Sequence, residues 1–208
     1  MNLVIGAAGQ TGKLIVAELL RVGKPVRAMV RREEQRAELE NSGAEVVLGD
    51  LTGDWQHALD GASSVIFAAG AGVSGQFVQI DHLAAVALMG EMATRGPKRL
   101  LMITSMGTTY PERLPFIEAV LREKRKAEIA LEASALEWTI VRPGGLVNTS
   151  GTGKVQLAQS LQVGGMVPRA DVAALCVSVL EDPRSFHKVL EVVAGETALE
   201  KALENALG

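Results

Sequence analysis

The 208-residue chain is short of several things, and each shortage removes a class of function. Cysteine occurs once, as Cys176, which excludes an internal disulfide framework and fits a reducing compartment. There is no Cys pair, no His-x-x-x-His and no acidic cluster, so no metal constellation can be read from it. No apolar run approaches the ~20 residues that span a bilayer. The N-terminus reads as a strand, without the basic stretch and apolar region of a signal peptide. A clustered basic face is also missing, and a formal charge of −3 argues against broad nucleic-acid binding. The expectation is a cytoplasmic protein with neither membrane nor nucleic acid as partner.

What is present is an ordinary globular composition, 48% apolar and 22% charged. A chain of this length is most simply one domain, burying about 70% of its unfolded surface. Strand-like runs at Leu3–Ile5, Pro25–Val30, Glu45–Leu48, Ser64–Ala68, Leu100–Ser105, Trp138–Val141 and Val189–Val193 alternate with helical periodicity. The continuous apolar run at 65–69 suits a strand covered on both faces. Val172, Leu175, Cys176, Val179 and Leu180 share one helix face, and Thr197 with Glu200 predicts a capping box for a last helix. The pattern predicts a single α/β domain over 1–208, a Rossmann-like doubly wound parallel sheet with helices on both faces. The glycine-rich stretch 148–167, with a turn at Gly151-Thr-Gly153, reads as a long loop at the carboxyl edge of the sheet. It makes 143–170 a candidate substrate-side region, with a plain surface excursion as the alternative.

Gly6-Ala-Ala-Gly-Gln-Thr-Gly12 stands between the first strand and an amphipathic helix. The first glycine permits a tight bend, the middle one lets backbone approach a pyrophosphate, and the last lets helix and strand pack closely. Free amides near Gln10, Thr11 and Gly12 then face the phosphates with a favourable helix dipole. That context turns a weak glycine pattern into a dinucleotide cradle of Gly6, Ala8, Gly9, Gln10, Thr11 and Gly12. The second strand ends in Arg31-Arg32, where an acidic residue would bind the ribose 2′-hydroxyl of NAD. A guanidinium there suits a 2′-phosphate instead, which favours NADP(H) over NAD(H) and Arg31 over Arg32. Asp50, in Gly49-Asp50-Leu51, is placed either to accept from the adenine amino group or to close a turn. Ala68-Ala69-Gly70 ends the fourth strand with side chains small enough for the cofactor to lie against backbone.

The ordered set Gly6–Gly12, Val30–Arg32, Gly49–Leu51, Ala68–Gly70, Ile103–Gly107, Trp138–Gly145 and Arg169–Ala173 resembles the short-chain dehydrogenase/reductase superfamily. The likeness is to its small atypical members, the NmrA-like proteins and the relatives of biliverdin reductase B, many of which carry an NAD-dependent epimerase/dehydratase label. The resemblance implies that Ser105 hydrogen-bonds a substrate carbonyl. It also implies that Pro143, Gly144, Gly145 and Leu146 pack against nicotinamide, and that Lys124 binds its ribose. Arg142 reads as a scaffold ion-pair partner.

One departure limits the likeness. Orthodox members carry Tyr and Lys at i, i+4, with Lys lowering the Tyr pKa so that Tyr exchanges a proton. With Lys at Lys124 the Tyr position is Val120, and with Lys at Lys126 it is Arg122. Tyr110, the only tyrosine, reads as an exposed loop residue, and Asp81-His82 as the start of a helix. Ser105 and Lys124 are therefore the candidate catalytic residues. Three functions are open: an NADP(H)-dependent reductase of a flavin, quinone or similar small acceptor; an NmrA-like redox-sensing regulator with a protein partner; and a sugar-nucleotide epimerase or dehydratase.

Overall fold

A computed structural model describes residues 1–208, apart from the side chain of Val73. In chain order the elements are β1 (Asn2–Ile5), α1 (Gln10–Arg21), β2 (Val26–Val30), α2 (Arg36–Asn41), β3 (Glu45–Leu48) and β4 (Ser64–Phe67). A π-helical turn, Val78–Leu83, then leads into α3 (Ala84–Arg95), β5 (Arg99–Ile103), α4 (Glu118–Glu132) and β6 (Glu137–Pro143). The last third holds β7 (Gly145–Val147), β8 (Lys154–Ala158), β9 (Met166–Pro168), α5 (Arg169–Val179), β10 (Lys188–Ala194), β11 (Thr197–Ala198) and α6 (Leu199–Leu207).

The main sheet runs β11-β8-β10-β6-β5-β4-β1-β2-β3. From β10 to β3 every pairing is parallel, and β8 joins β10 and β11 antiparallel. Strand alternation sends Leu3 and Ile5 into one core with α3 and α4, and Val4 into the other with α1, α5 and α6. Both faces are thus covered, which is why the central strands carry apolar residues on both sides. The single-domain, doubly wound expectation holds. No helix is long and apolar enough to cross a membrane among the described residues.

Two local expectations are corrected. The stretch 148–167 is not one loop: β8 extends the main sheet, and β9 pairs with β7 in a small second sheet. Thr197 does not cap the last helix, because it pairs with Val155 in β11, and Ala198 takes the N-cap position without a side-chain bond.

Candidate functional site

The chain leaves β1 at Gly6 with φ of +82°, the left-handed region that glycine tolerates. A Cβ there would stand 2.7 Å from the amide nitrogen of Ala69, so the turn lies directly against the end of β4. Gly9 caps α1 in an extended conformation and donates its amide to Gly6 O at 2.9 Å. With no side-chain cap on α1, the first-turn amides stay open toward the cleft. A Cβ on Gly12 would collide with Gly6 O and come within 2.9 Å of Ala7 Cα. The first and third glycines therefore serve close packing, and the middle one, where a Cβ would meet only Gly6 O at 3.2 Å, stands beside a helix N-terminus. That is a cradle sized for phosphate oxygens, and the residues present fit a dinucleotide.

Two cavities share Ala69 and Gly70 and so form one continuous cleft along the carboxyl edge of the sheet. The first, about 300 Å³, is walled by Gly6, Ala8 and Gly9, by Arg31 after β2, by Asp50 and Leu51 after β3, and by Gly70. The second, about 360 Å³, is walled by Thr11, Ala68, Ser105, Lys124, Gly144, Gly145, Leu146 and Arg169. The cleft lies over β1 and β4, where the strand order reverses, the usual ligand position of an open α/β sheet.

Most of the candidate residues gather here, and four do not line either cavity. Gln10 and Gly12 belong to the first turn of α1. Pro143 is buried and accepts the Met106 amide at 2.9 Å. Arg32 points its backbone amide at Gln35 Oε1, 3.1 Å away, in the turn that follows. Asp50 does close a turn, accepting the Thr52 amide at 2.9 Å and the Thr52 hydroxyl at 2.7 Å. Those two bonds, helped by the charge of Arg31, hold its carboxyl below the usual range. Ser105 donates its hydroxyl to Met106 O at 3.0 Å.

Val120, Lys124 and Glu128 form one stripe on α4, each a turn apart. Lys124 Nζ reaches 2.7 Å from Asp81 Oδ1 under Gly70, at the junction of the two cavities. Val120 lines neither cavity. Glu128 is fully buried and takes Arg142 at 2.7 and 3.0 Å, Thr104 at 2.6 Å and Thr108 at 3.1 Å. Arg142 also meets Thr109 at 3.0 Å and Glu191 at 3.5 Å, so it is the scaffold cation expected of it. A third cavity, about 540 Å³, lies beyond this network between Met106–Leu114 and Gln159–Gln162. Tyr110 is exposed on its rim, with the Arg113 guanidinium 4.4 Å from the ring centroid.

Two residues were missed as site residues. Arg169, whose Nη1 donates to Asn148 Oδ1 at 2.6 Å, brings a cation to the second cavity, and its place in Arg169–Ala173 was the available signal. Asp81 is buried rather than exposed on a helix surface, while its neighbour His82 bonds Glu123 at 2.9 Å. Between Gln79 and His82 an acid looks like one more polar helix residue, so the sequence carried no signal there.

Residues 6–183 match the NAD(P)H-binding family, and the chain belongs to it. It is 35% identical to "Uncharacterized sugar epimerase YhfK" of Bacillus subtilis over 97% of both chains. It is also similar to a solved "Putative NAD-dependent epimerase/dehydratase" from Bacillus halodurans, with 35% identity, 98% of each chain covered and a TM-score of 0.94. ChuY of Escherichia coli O157:H7, described as an anaerobillin reductase, shares 28% identity, with 93% of this chain and 96% of that one covered and a TM-score of 0.80.

Proposed function

We propose that this member of the NAD(P)H-binding family is an NADPH-dependent reductase of a flavin, quinone or similar conjugated acceptor. The observation that carries the reading is the makeup of the second cavity, which brings the Ser105 hydroxyl together with two cations, Lys124 and Arg169.

The reduced dinucleotide, when bound, supplies a hydride. The open amides of α1 hold its pyrophosphate, and Arg31 binds the 2′-phosphate bidentately. Lys124 holds the ribose from beneath Gly70. Gly144, Gly145 and Leu146 wall the nicotinamide end, and Arg169 stands on the acceptor side. Ser105 turns its hydroxyl from Met106 O to donate a hydrogen bond to the acceptor oxygen or nitrogen. An acceptor that takes hydride becomes anionic, and Lys124 with Arg169 stabilises that charge as it develops. No side chain on α4 hands over a proton, so the acceptor is one protonated from water. Positioning and electrostatics then carry the rate.

A redox sensor is the second reading. Val120 suits it, and so does a surface the sequence did not reveal: Phe116 is fully exposed, with Tyr110, Leu114 and Ile117 beside it in the loop and first turn leading into α4. An epimerase or dehydratase ranks below both because those reactions need an acid that this site lacks.

Purified protein incubated with NADPH and a panel of FMN, riboflavin, menadione and UDP-glucose distinguishes the three. Oxidation of NADPH by the flavins or the quinone is the expected result. NADPH binding without oxidation supports the sensor, and isomerisation of UDP-glucose in a parallel incubation with NAD⁺ or NADP⁺ supports the epimerase.

A further inference from the structure

Asp81 is 3% exposed, and its carboxylate has no route to solvent that would offset the cost of burying a charge. Its Oδ2 accepts the Ala71 amide at 3.0 Å. Its Oδ1 forms an ion pair with Lys124 Nζ at 2.7 Å but has no aligned hydrogen-bond partner among the described residues. A carboxylate buried this deeply is costly even when paired, so its placement calls for a reason beyond stability. The π-helical turn supplies the geometry. One extra residue per turn is a local irregularity often found at functional sites, and here it brings Asp81 inward beneath the exit of β4. The same carboxylate thereby touches the exit of β4, at Ala71, and α4, at Lys124. A Cβ on Gly70 would lie 3.2 Å from Asp81 Oδ1 and 3.8 Å from Lys124 Nζ, so the pair sits immediately under the waist of the cleft.

We propose that Asp81 is a positioning residue for the bound dinucleotide: it fixes the Lys124 ammonium under Gly70, aimed at the nicotinamide-side ribose. A free lysine has four rotatable side-chain bonds and many rotamers, and an anchored one has lost that entropy before the cofactor arrives. The second oxygen, tied to the Ala71 amide, prevents the carboxylate from following the ammonium away from the site. In a site without the superfamily tyrosine, Lys124 acts only through its ammonium, and Asp81 sets the direction of that ammonium. This inference rests on the cleft being the dinucleotide site.

The test compares a whole dinucleotide with its adenosine half. Dissociation constants for NADPH and for adenosine 2′,5′-bisphosphate are measured on wild type, Asp81→Asn, Lys124→Met and the double variant, with circular dichroism and Tm for each. Asn at 81 still accepts the Ala71 amide but leaves Lys124 without a counter-charge. Expected is a loss of about tenfold or more for NADPH in Asp81→Asn, of the size one charge-assisted contact contributes. The bisphosphate, which does not reach Lys124, changes by less than about twofold in the same variant. The double variant is no weaker than Lys124→Met alone, since both changes act through one ammonium. Equal losses for both ligands, additive losses in the double variant, or an Asp81→Asn protein that does not fold would each overturn the assignment and make Asp81 structural. NADPH binding unchanged in Asp81→Asn would overturn it while leaving the dinucleotide cleft intact. Failure of wild type to bind either ligand would overturn both.

Discussion

Val120 stands one helical turn before Lys124 on the same face of α4, and only the lysine reaches the cleft. Under the proposed function, Lys124 acts without a tyrosine partner on α4. Val120→Tyr restores a hydroxyl one turn from the ammonium. Flavin turnover is expected to stay within about threefold, since water already supplies that proton, whereas reduction of a simple ketone, which needs a side-chain acid, is expected to appear. Steady-state rates with FMN and with a ketone panel check both halves. A large gain for FMN would contradict the account of how its proton arrives.

The cradle glycines separate packing from binding. Gly12→Ala sets a methyl group against Gly6 O and Ala7 Cα and is expected to cost about 1–3 kcal/mol or more, as overpacking does. Gly9→Ala meets only Gly6 O, at 3.2 Å, in a backbone conformation that alanine adopts freely. Gly9→Ala should therefore unfold close to wild type in urea while losing NADPH affinity, because its methyl group occupies the phosphate approach. Urea midpoints and fluorescence titrations on both variants read out the split.

Arg31 lines the first cavity of the cleft and Arg32 does not. Arg31→Ala should weaken NADPH by about 10–100-fold, the usual loss of a charge-assisted bidentate contact, and leave NADH nearly unchanged. Arg32→Ala should change neither. Equal losses for the two cofactors in Arg31→Ala would remove it from the 2′-phosphate.

Beneath the cleft, Glu128 and Arg142 form a buried pair with every carboxylate oxygen bonded. Glu128→Ala leaves the Arg142 guanidinium buried without its main partner, and about 3–5 kcal/mol of stability is expected to go. Replacing both, with Glu128→Leu and Arg142→Met, should cost less than the sum of the single changes. Thermal unfolding of Glu128→Ala gives the loss, and that of Glu128→Leu, Arg142→Met and the double variant gives the coupling.

The seven main strands were legible because each is an apolar run bounded by turn residues, as at Val65-Ile-Phe67 and Leu100-Leu-Met102. The strands β7, β9 and β11 are two or three residues long and too short to show a period. The alternation of β8, with Val155 and Leu157 inside and Lys154 and Gln156 outside, was present but surrounded by glycines that read as loop. Thr197 looked like a cap because sequence shows its distance from Glu200 but not its pairing with Val155. The cradle was readable since glycine's role is local: a bend, an open amide, a close contact. Asp81 was not, because a π-helical turn has no signature in hydrophobic spacing, and a buried acid is recognised only once Lys124 and Ala71 are brought to it from 43 residues and 10 residues away.

The central claim is turnover from a dinucleotide cleft that lacks the superfamily tyrosine. Single-turnover mixing of the NADPH-bound protein with FMN, following the absorbance of the reduced cofactor, tests it most directly. The account predicts complete oxidation of the bound NADPH in one exponential phase, slowed by Ser105→Ala and by Arg169→Ala. Bound NADPH that stays reduced in the presence of FMN, menadione and the rest of the acceptor panel would contradict it.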